Sequence, residues 1–485
     1  MCYDEVVKAY LENKFLGSHP RSAFTFPDVF LVDGYSEKDS RSEISDLRTR
    51  LARDLFINIP IVSANMEDVT GEKLAIALAR EGGCGFVPQS LSIEKRTAII
   101  RKVKRAESDV IESPLTVESE NTLGEAKKII IKEGVSSLLV VDRLGRLIGI
   151  LTSRDTILKK DSQKVEELMT KNIITAKPGT TAEEAIKILT ENKVEKLPLI
   201  DQDGRVKGLM TLRDLLKTKP CAARDKRGRL IVGGTVGVSG GEDRILEEAQ
   251  TQVKAGADVL LVDTARGNAR LPRKIISLLK AKFPDIPLIA GNVDNPEGAL
   301  GLIEAGADAV KVGIGPGSAC KTRQETGTGC PQLSAILECV AVARKSGVAV
   351  IADGGIQTDG DLAKALAAGA NSVMLGGRLA RTEESAAPEF YDGGKFYKIF
   401  RGSASSEAQI DRIERGGLDH LRASEGVPSR VERGGKLTDT VKDILGHLRS
   451  AISYVGEENL EGFRNRNSVF RWQSGSGYEE GKPRN

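Results

Sequence analysis

The sequence predicts an α/β protein built on a closed (β/α)8 barrel, a TIM barrel, that is interrupted after its second strand by a tandem pair of smaller modules. Three observations predict it. From residue 229 onward, short β-branched runs alternate with amphipathic helical stretches, at 230–232, 259–262, 287–290, 309–312, 348–351 and 372–375. Two earlier runs, at 59–63 and 84–87, bring the count to eight, the number that closes a barrel. Between the second and third runs lies a gap-free internal repeat in which Thr122, Ala126, Val135, Gly145 and Asp155 recur 59 positions later as Thr181, Ala185, Val194, Gly204 and Asp214.

The helices between the later strands carry their own stop signals. Three end in nearly the same words, Ala255-Gly256-Ala257-Asp258, Ala305-Gly306-Ala307-Asp308 and Ala368-Gly369-Ala370-Asn371. Each glycine suits a left-handed C-cap, and a strand follows at once, which is the rhythm of a parallel sheet. A doubly wound open sheet is the competing arrangement. The division expected is a first barrel segment at 1–106, an insert at 107–219 with repeats at about 113–160 and 172–219, the rest of the barrel at 220–465, and a loose polar tail at 466–485.

Composition excludes several classes. Lys and Arg total 71 against 68 for Asp and Glu, so a net charge of +3 supplies no field for wrapping nucleic acid, and 4% aromatics leave little for stacking on bases. Any anion must be gripped locally. The six cysteines, at 2, 84, 221, 320, 330 and 339, form neither CxxC pairs nor a dense framework, which fits free thiols in a reducing compartment. No secretory leader and no apolar run of about 18 residues is found, so the expectation is a cytoplasmic protein without a membrane span.

The chemistry concentrates on one rim. Barrel enzymes work at the C-terminal ends of their strands, often holding phosphate on the loops after the seventh and eighth. Here Asp353-Gly354-Gly355 follows the seventh run and Gly376-Gly377 the eighth, where glycines let backbone N–H groups approach phosphate oxygens and Asp353 can accept from ribose hydroxyls. After the sixth comes Gly313-Ile314-Gly315-Pro316-Gly317-Ser318-Ala319-Cys320-Lys321-Thr322, a glycine-rich turn presenting a thiol. A thiolate is the strongest nucleophile among ordinary side chains near neutral pH. A lone intracellular cysteine is otherwise a packing residue; the company on the same rim separates Cys320 from that reading.

The repeats, each ending in Gly-x-x-Thr-x-x-Asp, resemble a tandem pair of cystathionine-β-synthase-type (CBS) modules. That resemblance implies Thr152 with Asp155, and Thr211 with Asp214, as holders of a ribose, and hence ATP or GTP as allosteric ligands; the alternative is that each Asp only caps the next helix. The stretches 313–322, 351–356, 374–377 and Ser63-Ala64-Asn65-Met66, together with the insert, resemble the inosine monophosphate dehydrogenase and guanosine monophosphate reductase superfamily over nearly the whole chain. By that resemblance Cys320 attacks purine C2, and the carbonyls of Gly315, Gly317 and Cys320 hold K+. Ser63, Ser318, Asp353, Gly355, Gly376, Gly377, Gly402 and Ser403 take the mononucleotide, while Asp263, Arg266 and Asn292 take the dinucleotide. Homotetramers or octamers are implied as well.

Two sister reactions share this scaffold: oxidation of IMP with NAD, and reductive deamination of GMP with NADPH. By the same resemblance, the dehydrogenase activates water with an Arg-Tyr pair on a flap after the base-binding loop. The segment 405–425 is short and contains no Tyr, so Arg412 and Arg415 lack that partner. Instead Leu421-Arg422-Ala423-Ser424-Glu425-Gly426 is similar to the reductase segment whose Glu works with the Thr two residues past the nucleophile, here Glu425 and Thr322. The expectation is therefore an NADPH-dependent GMP reductase, with an NAD-dependent IMP dehydrogenase and a non-catalytic nucleotide sensor as alternatives. Arg266 stands where dehydrogenases carry His, and would suit a 2′-phosphate.

Overall fold

The computed structural model describes residues 22–106, 110–111, 114–133, 135–217, 221–414, 420–421, 423–466 and 470–473. The described chain forms two compact units, one of residues up to Ala106, Cys221–Arg224 and from Leu230 onward, the other within Glu107–Pro220 and Asp225–Arg229. Residues 225–229 are the tip of a turn whose ends, Arg224 and Leu230, bridge each other. Those residues close on themselves, with Asp225 Oδ1 accepting the N–H groups of Arg227 and Arg229 at 2.9 Å each.

The first unit is a closed ring of eight parallel strands: β1 Ile61–Ser63, β2 Cys84–Phe86, β3 Val232–Val236, β4 Val259–Asp263, β5 Leu288–Val293, β6 Ala309–Val312, β7 Ala349–Asp353 and β8 Ser372–Leu375. β8 pairs with β1 through Val373 and Ile61, and β2 with β3 through Gly85 and Val232, so no edge is left open. The open-sheet alternative is overturned. The third strand also lies later than its β-branched run suggested, running through Gly233 and Gly234. A Cβ on Gly233 would strike the Phe86 ring and one on Gly234 would sit 2.7 Å from Gln252 Oε1, so these glycines mark close approach inside a strand rather than its end.

Strand alternation sorts side chains between two cores. Val62, Cys84, Phe86, Val259, Leu261, Ile289, Ala309, Ala349, Ile351 and Met374 fill the barrel interior. Ile61, Leu260, Val262, Val310, Val312, Val350, Val373 and Leu375 face the surrounding helices. Full burial of each such aliphatic side chain contributes about 1.5–3 kcal/mol. The predicted glycine caps are in place, with Gly256, Gly306 and Gly369 at φ of 105°, 106° and 103°.

In the second unit the repeat is visible as structure. Helices Leu123–Glu133 and Ala182–Glu191 start at matched caps: Thr122 N–H donates to Glu125 at 2.8 Å and Thr181 N–H to Glu184 at 3.0 Å. Each helix leads into an antiparallel strand pair, Ser137–Val141 with Leu147–Thr152 and Lys196–Ile200 with Val206–Thr211, over a separate small core. The copies also exchange edges, Ile111 bridging Leu209 of the second copy and Thr170 bridging Ile150 of the first.

The expected loose tail starts too early. Phe470–Trp472 pairs antiparallel with Val29–Leu31, because Phe470 and Trp472 supply a β-prone alternation that the N-terminal strand can use; residues 474–485 of that tail lie outside the described residues. Among the described residues no helix is long and apolar enough to cross a membrane.

Candidate active site

Parity along the strands decides what reaches the barrel mouth. Asp263, Lys311 and Asp353 have the same parity as the interior residues Leu261, Ala309 and Ile351, so all three turn inward at the C-terminal ends of β4, β6 and β7. They meet there. Lys311 Nζ lies 2.9 Å from Asp263 Oδ1 and 2.6 Å from Asp353 Oδ2, with only 3% of its side chain exposed. Burial alone would lower the Lys311 pKa, but the two carboxylates overcome it and hold the ammonium well above its ordinary value. Gly291, on the neighbouring strand, makes room, since a Cβ there would lie 2.6 Å from Lys311 Cβ.

Polar residues extend this cluster. Asn292 Nδ2 donates to Asp353 Oδ2 at 2.9 Å and to the Gly313 carbonyl at 2.6 Å, while its Oδ1 is buried without a hydrogen-bond partner. Gln332 Nε2 donates to the carbonyls of Val312 and Asp353, and Gln89 Nε2 donates to Asp263 Oδ2 at 3.3 Å. Lys311, Gln332 and Gln89 escaped the sequence reading as site residues. Lys311 sits inside an apolar run, and a charged residue on a fully buried strand was the signal available.

Beside this cluster three segments pack backbone to backbone. Cys320 forms a bridge with Gly426, Lys321 N–H donates to the Glu425 carbonyl at 2.7 Å, and Val427 N–H donates to the Ala319 carbonyl at 3.0 Å. The loop after strand Lys395–Arg401 closes the third side, Gly402 N–H reaching the Val427 carbonyl at 3.1 Å and Glu425 N–H the Ala404 carbonyl at 3.1 Å. A Cβ on Gly402 would collide with the Ala319 carbonyl, so only glycine allows this approach. The result is a hydrogen-bonded relay. Cys320 Sγ lies 3.2 Å from Thr322 Oγ1, whose hydroxyl donates to Glu425 Oε2 at 2.7 Å. All three residues are half-buried, so the thiol is neither sealed in the interior nor loose in solvent.

The loop is braced by Arg323, which donates from Nε to the Ile314 carbonyl at 2.8 Å and from Nη2 to the Cys330 carbonyl. Lys321 lines a cleft of about 360 Å³ with Glu325, Glu407 and Ser424, on the flank of the relay. The loop at 402–405 is tied down by Arg401, whose N–H, Nε and Nη2 reach the buried Asp68 carboxylate at 3.0, 2.9 and 3.2 Å. Asp68 too was missed, lying far from Arg401 in sequence.

Gly354 and Gly355 hold φ of 85° and 77°, with built Cβ positions 2.9 and 3.3 Å from Pro316, so the loop after β7 lies against the cysteine loop. A Cβ on Gly377 would lie 3.4 Å from Ser318 Oγ, which brings the loops after β6 and β8 together. Ser318 and Ser403 are exposed at this mouth, and Arg266 is exposed on the loop after β4. Ser63 is a correction. It shares the outward parity of Ile61, is fully buried, and its hydroxyl pairs with Thr70 Oγ1 at 2.6 Å. Met66 is the residue of that stretch beside the mouth, its Sδ 3.5 Å from a Cβ built on Gly376. Arg415, Arg422 and the side chain of Arg412 lie outside the described residues.

The expected monovalent cation would rest on carbonyls of a single turn. Gly315 has φ of 77°, and the Gly317 carbonyl accepts the Cys320 N–H at 3.0 Å, leaving its second lone pair for an ion. Among the described residues no group of three or more His, Cys, Asp or Glu side chains is placed to hold a metal ion. In the second unit, Thr152 Oγ1 donates to Asp155 at 2.8 Å and Thr211 Oγ1 to Asp214 at 2.6 Å, so both predicted pairs are brought together, each within one cap.

Comparison with known proteins places this geometry in a family. The model of the IMP dehydrogenase / GMP reductase domain matches residues 23–484. Inosine-5'-monophosphate dehydrogenase of Aquifex aeolicus is 45% identical over 472 residues, covering 95% of each chain, and that of Nitrosopumilus maritimus is 42% identical, covering 96% of this chain and 98% of its own. Among solved structures, a cysteine-to-alanine variant of GMP reductase from Trypanosoma brucei in complex with guanosine 5'-monophosphate superposes with a TM-score of 0.85 at 38% identity, covering 96% of this chain and 98% of that one. Enzymes of this family are oxidoreductases on purine mononucleotides and use NAD(P)(H). With its closed barrel and its thiol at the mouth, the chain belongs to the IMP dehydrogenase / GMP reductase family.

Proposed function

We propose that this enzyme is an NADPH-dependent GMP reductase, which converts GMP to IMP and ammonia. The single observation that carries the reading is the Cys320–Thr322–Glu425 relay, because it couples a nucleophile to a carboxyl group through a hydroxyl able to pass a proton. Cys320 Sγ bonds to purine C2 as its proton passes by way of Thr322 to Glu425, and the C2–N bond breaks as Glu425 returns that proton through Thr322 to the departing amine. Asp353 accepts from the ribose hydroxyls, and Ser318, Gly355, Gly376 and Gly377 hold the phosphate. Ser403 reads the base edge through its backbone, while Gly402, whose N–H goes to the Val427 carbonyl and whose carbonyl accepts from Ser405 N–H, shapes the loop beside it. When bound, the reduced dinucleotide supplies the hydride that takes the amine's place at C2, and the Cys320 sulfur then leaves with its electron pair. Asp263, Asn292 and Arg266 face that dinucleotide, Arg266 meeting the extra phosphate of NADPH. K+ on the carbonyls of Gly315, Gly317 and Cys320 would steady the cysteine turn.

A second reading, IMP dehydrogenase, is favoured by the names of the relatives at 45% and 42% identity. Against it stands the absence of any Tyr from 405–425, where the water-activating pair would lie. Overall identity averages over the scaffold, whereas the two reactions differ at a few groups. The CBS-like unit would take a purine nucleotide at Thr152 with Asp155 and at Thr211 with Asp214, and the assembly would be a homotetramer or octamer. The test is direct. Pure protein is mixed with GMP and NADPH, then with IMP and NAD, and the absorbance of the reduced nicotinamide is followed. Turnover only with the second pair transfers the assignment to the dehydrogenase.

A further inference from the structure

Lys311 stands outside the relay yet touches both sides of the mouth. Its ammonium takes one oxygen from Asp263, at the end of β4, and one from Asp353, at the end of β7. The Asp353 oxygen it holds is also the one that accepts from Asn292, and 21% of the Asp353 side chain remains exposed. Asp263 keeps 19% exposure. Gln89, Asn292 and Gln332, which also bond to this cluster, are neutral. A buried cation shared by two anions is sensitive to both. Whatever draws one carboxylate toward a ligand changes the field felt by the other, because the interior screens such pairs weakly.

We propose that Lys311 is a positioning residue that couples the mononucleotide and dinucleotide halves of the site, by holding the Asp353 and Asp263 carboxylates on one ammonium. Binding of either nucleotide thereby tightens binding of the other, and the coupling is reciprocal. The inference rests on the proposed placement of the two nucleotides but not on which pair of them reacts.

The experiment uses full-length protein in a Cys320→Ala background, so that no turnover intrudes. Calorimetry measures GMP affinity with and without saturating NADPH, and in parallel IMP affinity with and without NAD. The expected result with one of the two pairs is a mononucleotide affinity raised about tenfold by the dinucleotide. Added Lys311→Met should bring that ratio to about one, and Lys311→Arg should retain most of it. The two variants together separate this from a merely structural role. Rescue of the ratio by Lys311→Arg, which keeps the cation, together with its loss in Lys311→Met, which keeps an unbranched side chain, is a pattern that general loosening of the mouth would not give. A ratio of one in the Cys320→Ala parent with both pairs overturns the proposal even if Lys311→Met does not fold, and so does a Lys311→Met protein with an unchanged ratio. Coupling seen with IMP and NAD alone would sink the reductase reading and leave this inference standing.

Discussion

The same bond, a threonine hydroxyl donating to a carboxylate, occurs at the barrel mouth and at three helix starts of the second unit, and its setting differs completely. Thr152 meets Asp155 and Thr211 meets Asp214 three residues along the chain, at 2.8 and 2.6 Å. Thr322 meets Glu425 at 2.7 Å across 103 residues. An i, i+3 pair at a helix start is local capping chemistry and forms wherever the first turn forms. The distant pair exists only because the cysteine turn, the loop at 402–405 and the segment at 425–427 are packed through glycines. Glu425 is thus placed at the thiol by the barrel, and local structure has no need of it.

That contrast can be broken at its functional end first. Cys320→Ala should remove turnover altogether and abolish the purine adduct that mass spectrometry of the parent with GMP should detect; an active variant would end the covalent reading. Glu425→Gln keeps an acceptor for the Thr322 hydroxyl but cannot shuttle a proton, so kcat should fall a hundredfold or more while thermal stability barely moves, as steady-state kinetics beside calorimetric melting would record. Asp68→Asn weakens the clamp on Arg401 and loosens the loop at 402–405. The mononucleotide KM should rise about tenfold, and an unchanged KM would show that the loop holds its own shape. At the capping end, Thr181→Ala in the second unit removes the hydroxyl that accepts from Glu184 N–H at 3.2 Å, which should cost about 1 kcal/mol in denaturant unfolding and leave kcat alone.

The smallest effect concerns the other thiols. Burial raises the pKa of Cys84 and of Cys339 well above the ordinary range, and pushes Cys330 up to about 11. A raised pKa leaves little thiolate at pH 8, so iodoacetamide should spare these three and label Cys320 and the exposed Cys221 first; bound mononucleotide should then protect Cys320 only.

How much was legible follows the same division. Glycine caps at 256, 306 and 369 were readable because a left-handed φ needs that residue locally. The repeat showed as a constant spacing, whereas the expectation for Thr322 and Glu425 came from family resemblance, since no local rule joins residues 103 positions apart. Ser63 was misplaced because strand parity depends on which face the ring turns inward, which a three-residue run does not announce. β3 was misplaced for a related reason, its glycines answering to Phe86 and Gln252 on other elements.

By itself, then, the sequence determined the elements and their order, since helix caps, β-branched runs and the tandem repeat act within a few residues of where they are written. Tertiary structure alone decided that eight strands would close, that Lys311 would sit between Asp263 and Asp353, and that Arg401 would find Asp68. Those contacts join side chains from distant parts of the chain, and their strength comes from burial in a common interior that no local stretch can create.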